Sequence, residues 1–159
     1  MKLPFAEKVN YWKTGKSSPD AWVEKARKQI EKIGGSINSE AFGRGQDGQS
    51  AYMLSFTISG DNFRVVFPVL PVKNSRDERA ARVQAATMLY HDIKAKCLTA
   101  LVLGTRSAFF SYFLLPCGRQ ASEAASPELG NLFPPLLSAP QNNDDEVVVE
   151  GILTTPNNV

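Results

Sequence analysis

Basic side chains are the residues of this sequence with the clearest potential chemistry. They gather in the N-terminal segment, in the first predicted helix, in the loop before the second helix and in that helix's first turns. A lysine or arginine that neutralises a phosphate releases counterions, so about four to eight such contacts would give salt-dependent binding without any reading of bases. We therefore predict that nucleic-acid phosphates are contacted by Lys13, Lys16, Lys28, Lys73, Arg76, Arg79 and Arg82.

Two aromatic residues, Tyr11 and Trp12, lie between lysines in the N-terminal segment. Aromatic rings on a basic surface can stack on exposed bases, and each such contact contributes about 1 to 3 kcal/mol. Both residues are therefore candidates for base stacking. The alternative for Trp12 is that its large ring anchors the N-terminal segment to the core.

The sequence contains no recognisable catalytic arrangement. The only histidine, His91, precedes Asp92 in a predicted helix, where adjacent residues point about 100° apart and cannot orient each other. The acidic residues that could gather a metal ion do not have the spacing of a metal-binding cluster: Asp61, Asp77, Glu78 and Asp92. The glycine-rich residues 43–49 precede a predicted strand and lack the Lys-Ser/Thr ending of a phosphate-binding loop. We predict no catalytic residue, no metal site and no cofactor.

Charge is distributed unevenly along the chain. The net charge is +2, but residues 1–140 hold 18 basic residues against 12 acidic ones, a balance of +6 that is compatible with a polyanionic partner.

Cys97 and Cys117 form no CxxC pair, and the N-terminus has no apolar run of signal-peptide length, so we expect a cytoplasmic protein. Residues 97–116 are as long as a membrane span but contain Arg106, which favours a core segment and no membrane partner.

The segment PDAWVEKARKQIEKIGG, residues 19–35, predicts the first helix and its end. Ser18 can cap this helix, a proline occupies its first position and a Gly-Gly pair ends it. Its apolar residues are separated by four, four and three positions, so they lie on one face of the helix, which we expect to face the core. That face carries Trp22, Ala26, Ile30 and Ile33.

After the first helix, apolar side chains recur at every second residue, which is typical of β-strands. Residues 50–59 and 62–71 each alternate apolar and other side chains, and the sequence SGDN between them supplies a turn, so they predict an antiparallel hairpin. Residues 36–44 add a first strand, which gives a three-stranded antiparallel meander.

A long, alanine-rich second helix begins after Ser75, a candidate cap. Its predicted buried face carries Ala81, Ala85, Met88 and Leu89, while the arginines lie on a neighbouring flank. After Gly104, the apolar residues 107–116 form a further strand or helix, and their aromatic content favours a strand.

The predicted fold is therefore α+β: a helix, a three-stranded antiparallel meander, a long helix and an additional apolar strand or helix. Residues 1–18 are expected to form an extended basic arm, and residues 19–140 a single α+β domain. Residues 141–159, with their acidic and polar composition, are expected to be a disordered tail.

The order helix, three strands, helix resembles the double-stranded-RNA-binding domain. The segment ERAARVQAATMLY is similar to the start of that family's second helix, through Ala81, Arg82, Ala85, Ala86 and Leu89. The resemblance implies that Arg79 and Arg82 contact phosphates.

A meander followed by a long alanine-rich basic helix also resembles the ring-forming single-strand annealing proteins of recombination. The similar segment is AARVQAATMLYHDIKAKCLTALVLG, with Lys94, Lys96 and the closing Gly104. This resemblance implies a non-catalytic protein that binds and anneals single-stranded DNA in recombination or replication. A duplex-binding module and a protein-interaction scaffold without a nucleic-acid role remain the alternatives.

Self-association is the second partner prediction. The predicted third strand has Val65 and Val69 on one side and Val66 and Leu70 on the other, which indicates that protein covers both faces. Pro68 cannot donate to a strand ladder and so marks an edge for a neighbouring subunit to cover. We expect a homo-oligomer.

Overall fold

A computed structural model describes residues 2–124 of the 159-residue chain. Its regular elements are α1 (Pro19–Lys32), β1 (Ser36–Arg44), β2 (Ser50–Ile58), β3 (Asp61–Pro68), α2 (Glu78–Leu103), α3 (Thr105–Ala108) and α4 (Ala121–Ala124). Short 3-10 helices lie at Ala6–Lys8, Ser75–Asp77 and Phe110–Tyr112. The predicted α+β class is confirmed. The predicted acidic tail, residues 141–159, lies outside the described residues.

Local signals define both ends of α1. The Ser18 hydroxyl accepts a hydrogen bond from the backbone N–H of Ala21 at 3.3 Å, which satisfies one of the unpaired donors of the first turn. After the helix, Gly34 takes a φ of 84°, a left-handed conformation that side-chain-bearing residues adopt only with strain. Trp22 and Ile33 are half-buried. The buried residues are Pro19, Val23, Ala26 and Ile30.

The three strands form one antiparallel sheet in the order β1-β2-β3, which is the predicted meander. The turn between β2 and β3 consists of Ser59 and Gly60, with φ values of 52° and 82°. Two left-handed residues in succession match the right-handed twist of a hairpin. The pairing of β1 with β2 shifts register between Ile37 and Ser39, so β1 contains a bulge.

One face of the sheet forms the core together with α1 and α2. Its buried side chains are Tyr52, Leu54, Phe56, Ile58, Phe63 and Val65. Small residues of α2, among them Ala81 and Ala85, are also buried and let the helix approach closely. Val66 on the opposite face is 53% exposed, so residues 2–124 leave this side chain of β3 largely uncovered. Leu70 is buried because β3 ends at Pro68 and the strand alternation stops there.

The apolar segment after Gly104 is mainly helical, so the expectation of a strand is wrong. It contains α3 and the 3-10 helix Phe110–Tyr112, and between them Phe109 is fully buried, with its ring centroid 5.5 Å from Phe56 and 5.6 Å from Phe63. After this 3-10 helix the chain reaches the edge of β3, where the Leu114 N–H donates a hydrogen bond to the Asn62 carbonyl at 2.8 Å. The outer edge of β3 is thus partly paired within the same chain.

The N-terminal segment differs from the predicted extended arm. Ala6 is fully buried, lies in the first 3-10 helix and donates its N–H to the Pro71 carbonyl at 2.8 Å. Further along, Tyr11 and Lys13 have positive φ values of 68° and 51°. Together with the contacts of Gln84 on α2 to the carbonyls of Ala6, Val9 and Asn10, these features fold the segment back along α2.

Candidate nucleic-acid interface

A cleft of about 390 Å³ lies between the N-terminal segment and the start of α2, and we name it the basic cleft. Four of the seven predicted phosphate contacts line it: Lys13, Lys16, Arg76 and Arg79. The remaining lining residues are small or apolar: Gly15, Ser17, Ser18, Ala80 and Val83. Folding therefore brings together two basic segments that are far apart in the sequence.

The start of α2 forms one wall of the basic cleft. The Asn74 side chain accepts a hydrogen bond from the Arg76 N–H at 3.1 Å and begins the 3-10 helix that leads into α2. Asn74 thus caps the 3-10 helix, whereas Asp77 occupies the N-cap position of α2 without a side-chain hydrogen bond, so the prediction of Ser75 as the cap is wrong. Arg76 follows in the 3-10 helix and Arg79 in the first turn of α2, where the helix dipole also favours an anion.

The N-terminal segment forms the other wall. The left-handed conformations at Tyr11 and Lys13 each cost about 1 to 3 kcal/mol in a non-glycine residue and therefore need support from their surroundings. Beyond these two turns, Lys13 and Lys16 line the same cleft as Arg76 of the 3-10 helix and Arg79 of α2.

One ion pair joins the two walls, and the other cations are unpaired. The Lys13 ammonium lies 2.7 Å from an Asp77 carboxylate oxygen, with 54% and 25% of the two side chains exposed. An exposed pair of this kind stabilises by roughly 0 to 1 kcal/mol. The exposed side chains of Lys16, Arg76 and Arg79 have no ion-pair partner within residues 2–124. The cleft therefore presents uncompensated positive charge to solvent.

Two predicted contact residues lie elsewhere and have other interactions. The Lys28 ammonium is 3.7 Å from a Glu24 carboxylate oxygen on α1. The Lys73 ammonium is 5.9 Å from the centre of the Phe5 ring, and its backbone N–H donates to Glu7 at 3.0 Å. That hydrogen bond lowers the pKa of the Glu7 carboxyl. Neither lysine lines the basic cleft.

Arg82 points into a second cleft, of about 300 Å³, although it follows Arg79 on α2. The guanidinium carbon lies 4.1 Å from the centre of the Phe42 ring. Burial raises the pKa of Tyr52, and Arg82 beside it opposes that shift. The ionisable residues that line this second cleft are Arg44, Asp47, Glu78 and Arg82. Two cations and two anions balance there, so the second cleft lacks the excess positive charge of the basic cleft.

The aromatic candidates are engaged within the protein. Tyr11 stacks on His91 with ring centroids 4.9 Å apart and planes 9° apart, so a base could stack only on the other face of the Tyr11 ring. Trp12 is half-buried and packs against the core, as its anchoring alternative expects. His91 also lies 6.1 Å from the Trp22 ring. The base-stacking role of Tyr11 and Trp12 stays a prediction.

Two other side chains that could take part in chemistry, those of Cys97 and Asp92, are buried or bonded within the protein. Burial raises the pKa of the Cys97 thiol to about 11, so this sulfur is protonated at neutral pH. Asp92 accepts a hydrogen bond from the Tyr112 hydroxyl and pairs with Lys96 at 3.2 Å. Among residues 2–124, no three or more His, Cys, Asp or Glu side chains gather where a metal ion would be held.

Gln84 was not identified from the sequence, although it supports the cleft. It is completely buried on α2, in a row of alanines, and its amide contacts the backbone of the N-terminal segment. A glutamine on an otherwise apolar helix face is a detectable signal, because buried polar groups require partners. The partners themselves lie far away in the sequence and are revealed only by the fold.

No protein-family model, curated protein or solved structure matches the chain. No helix within residues 2–124 combines the length and the apolar character needed to cross a membrane.

Proposed function

We propose that this chain is a non-catalytic nucleic-acid-binding protein that holds phosphates in the basic cleft. The observation that carries the proposal is the convergence of Lys13, Lys16, Arg76 and Arg79 on one cleft, where three of these cations have no ion-pair partner in the described chain. Phosphate oxygens would accept hydrogen bonds from these side chains, and the side-chain cations would replace counterions condensed on the nucleic acid. Contacts of this kind position a nucleic acid without reading its sequence.

Single-stranded DNA is the proposed ligand, in recombination or replication. Cations on two facing walls can contact one strand's backbone from both sides, whereas duplex phosphates lie on a convex surface. The resemblance of α2 to the long helix of single-strand annealing proteins supports the same ligand. Because His91 covers one face of Tyr11 and Trp12 packs against the core, phosphates are expected to supply most of the affinity.

Duplex binding is the second candidate, and one observation favours it. The elements follow the order α1, β1, β2, β3, α2, and both helices share the core on one face of the sheet. The same order of elements gives the resemblance to the double-stranded-RNA-binding domain.

A direct comparison of ligands tests this proposal. Fluorescence anisotropy would measure the affinity of the full chain for labelled single-stranded DNA, duplex DNA and duplex RNA of mixed sequence at low salt. We expect the tightest binding to single-stranded DNA. Tighter binding to a duplex would favour the second candidate, and no binding to any of the three would leave the interaction scaffold as the better account.

Self-association is also proposed, but through a different surface from the β3 edge, which residues 113–120 partly pair. Four large aliphatic side chains at the end of α2 lie in solvent: Leu98, Leu101, Val102 and Leu103, which are 60%, 73%, 82% and 63% exposed. Leu98, Leu101 and Val102 share one face of the helix by their spacing of three and four residues, and an exposed apolar surface of this kind is typical of an interface. A second copy of the chain would cover it in a two-fold contact and would place two basic clefts in one particle.

A further inference from the structure

The amide nitrogen of Gln84 contacts three carbonyl oxygens and joins α2 to the N-terminal segment, with one of its two N–H groups shared between two acceptors. Its amide nitrogen lies 2.9 Å from the Ala6 carbonyl oxygen, 3.0 Å from that of Val9 and 2.9 Å from that of Asn10. The side chain is 0% exposed. No other side chain in the described chain bonds this part of the backbone three times. One buried group thus holds the segment immediately before its tight turn.

The surroundings fix the orientation of the Gln84 amide. All three neighbours are carbonyl oxygens, which only accept hydrogen bonds, so the nitrogen must face them. Its own oxygen, Oε1, is buried and accepts no hydrogen bond within residues 2–124. The contribution of this side chain is therefore its pair of N–H donors. An apolar residue of equal size would remove this donor group from all three carbonyls, of which that of Ala6 would still accept the Val9 N–H at 3.1 Å.

The three contacts lie next to the strained part of the basic cleft. Asn10 directly precedes Tyr11, whose φ is 68°, and Lys13 follows with a φ of 51°. At its other end the wall is fixed where Ser18 caps α1. Between these two anchors lie the cleft residues Lys13 and Lys16. Loss of the Gln84 contacts would free one end of this wall and leave the α2 wall in place.

We propose that Gln84 is a positioning residue, which holds Lys13 and Lys16 opposite Arg76 and Arg79 without touching the ligand itself. This inference rests on the proposed function, because it assigns a role in the same phosphate-binding cleft. The Gln84 amide fixes the positions of Lys13 and Lys16 on the N-terminal wall and has no such effect on Arg76 and Arg79.

The first test measures the segment itself, with no nucleic acid present. Trypsin cleaves after lysine, so mass spectrometry can compare cleavage after Lys13 and Lys16 with cleavage after Lys96 in α2 of the same molecule. For Gln84→Met we expect the ratio of N-terminal to helical cleavage to rise about tenfold. Thr87→Val is the matched control, because Thr87 is a buried polar residue of α2 whose hydroxyl bonds only Val83. An unchanged ratio in Gln84→Met would overturn the proposal.

The second test uses affinity for labelled single-stranded DNA in a salt series. Gln84→Met should reduce the salt slope by about 1.4, the effect of two lost contacts at about 0.7 each. In the Gln84→Met background, Lys13→Ala with Lys16→Ala should have little further effect, whereas Arg79→Ala should keep its full effect. Full additivity with the lysine substitutions would contradict the positioning role.

Two outcomes separate this inference from the proposed function. If the unsubstituted chain binds no oligonucleotide, the proposed function fails and the positioning role fails with it. If the chain binds but Gln84→Met keeps the full salt slope, only the positioning role fails. Should Gln84→Met not fold, Gln84→Asn draws the amide back by one methylene group, so that it no longer reaches the three carbonyl oxygens, and an unaltered cleavage ratio and slope in that variant would count against the proposal.

Discussion

At the scale of single residues, Arg79 and Arg82 show how the fold gives different surroundings to similar side chains. They lie three positions apart on α2, and both belong to the basic pattern that resembles a nucleic-acid-binding helix. Arg79 lines the basic cleft without an ion-pair partner in the described chain, whereas Arg82 packs on Phe42 in a cleft of balanced charge. A guanidinium on an aromatic face contributes to stability, while an unpaired exposed guanidinium is available to a ligand.

The two arginines should therefore respond differently to substitution. Arg79→Ala should weaken oligonucleotide binding and leave the free energy of unfolding within about 0.5 kcal/mol. Arg82→Ala should lower the free energy of unfolding by about 1 kcal/mol, through lost packing on Phe42, and affect binding less. Urea denaturation and anisotropy on both variants check this contrast. Equal losses of affinity would mean that Arg82 also contacts the ligand.

At the scale of elements, the sequence predicted those whose signals are local. Ser18 with its following proline marks the start of α1, and the period-two alternation of residues 50–58 marks β2. Phe109 shows why the later segment was not predicted: short apolar runs suit a strand or a buried helix, and only the rings of Phe56 and Phe63 decide between them. The N-terminal wall likewise depends on contacts distant in sequence. The sequence predicted the four cations of the basic cleft as phosphate contacts. It did not predict that Lys28, Lys73 and Arg82, which belong to the same predicted set, lie outside this cleft.

Phe109 gives a test of this element. Its ring is fully buried against two core phenylalanines and holds the segment that reaches the edge of β3. Phe109→Ala should lower the free energy of unfolding by about 3 to 5 kcal/mol, as measured by urea denaturation. Phe5→Ala removes a ring that is 38% exposed and should cost much less. Similar costs for the two variants would show that Phe109 does not anchor the segment.

At the scale of the whole molecule, exposed charge and exposed apolar surface occupy opposite ends of α2. The basic cleft lies at its start, while the aliphatic patch from Leu98 to Leu103 lies at its end. Burial of about 25 cal/mol per Å² makes such a patch favourable to cover. A dimer formed through these ends would leave both clefts open to one nucleic-acid strand and so raise the effective affinity.

Light scattering at micromolar concentration checks the proposed self-association. We expect the full chain to form a homo-oligomer, and Leu101→Gln with Val102→Gln to shift it towards the monomer. Val66→Thr, on the open face of the sheet, is the control and should leave the oligomer intact. A monomeric unsubstituted chain, with or without oligonucleotide, would remove the proposed role of this patch.

The central claim is that phosphates bind in the basic cleft, and the salt dependence of oligonucleotide affinity tests it most directly. Lys16→Ala with Arg79→Ala removes one cation from each wall and should reduce the slope of log affinity against log salt by about 1.4 for a single strand. Lys28→Ala with Lys73→Ala removes the same charge outside the cleft and should leave the slope nearly unchanged. Equal reductions in both double variants, or no detectable binding by the unsubstituted chain at low salt, would contradict the account.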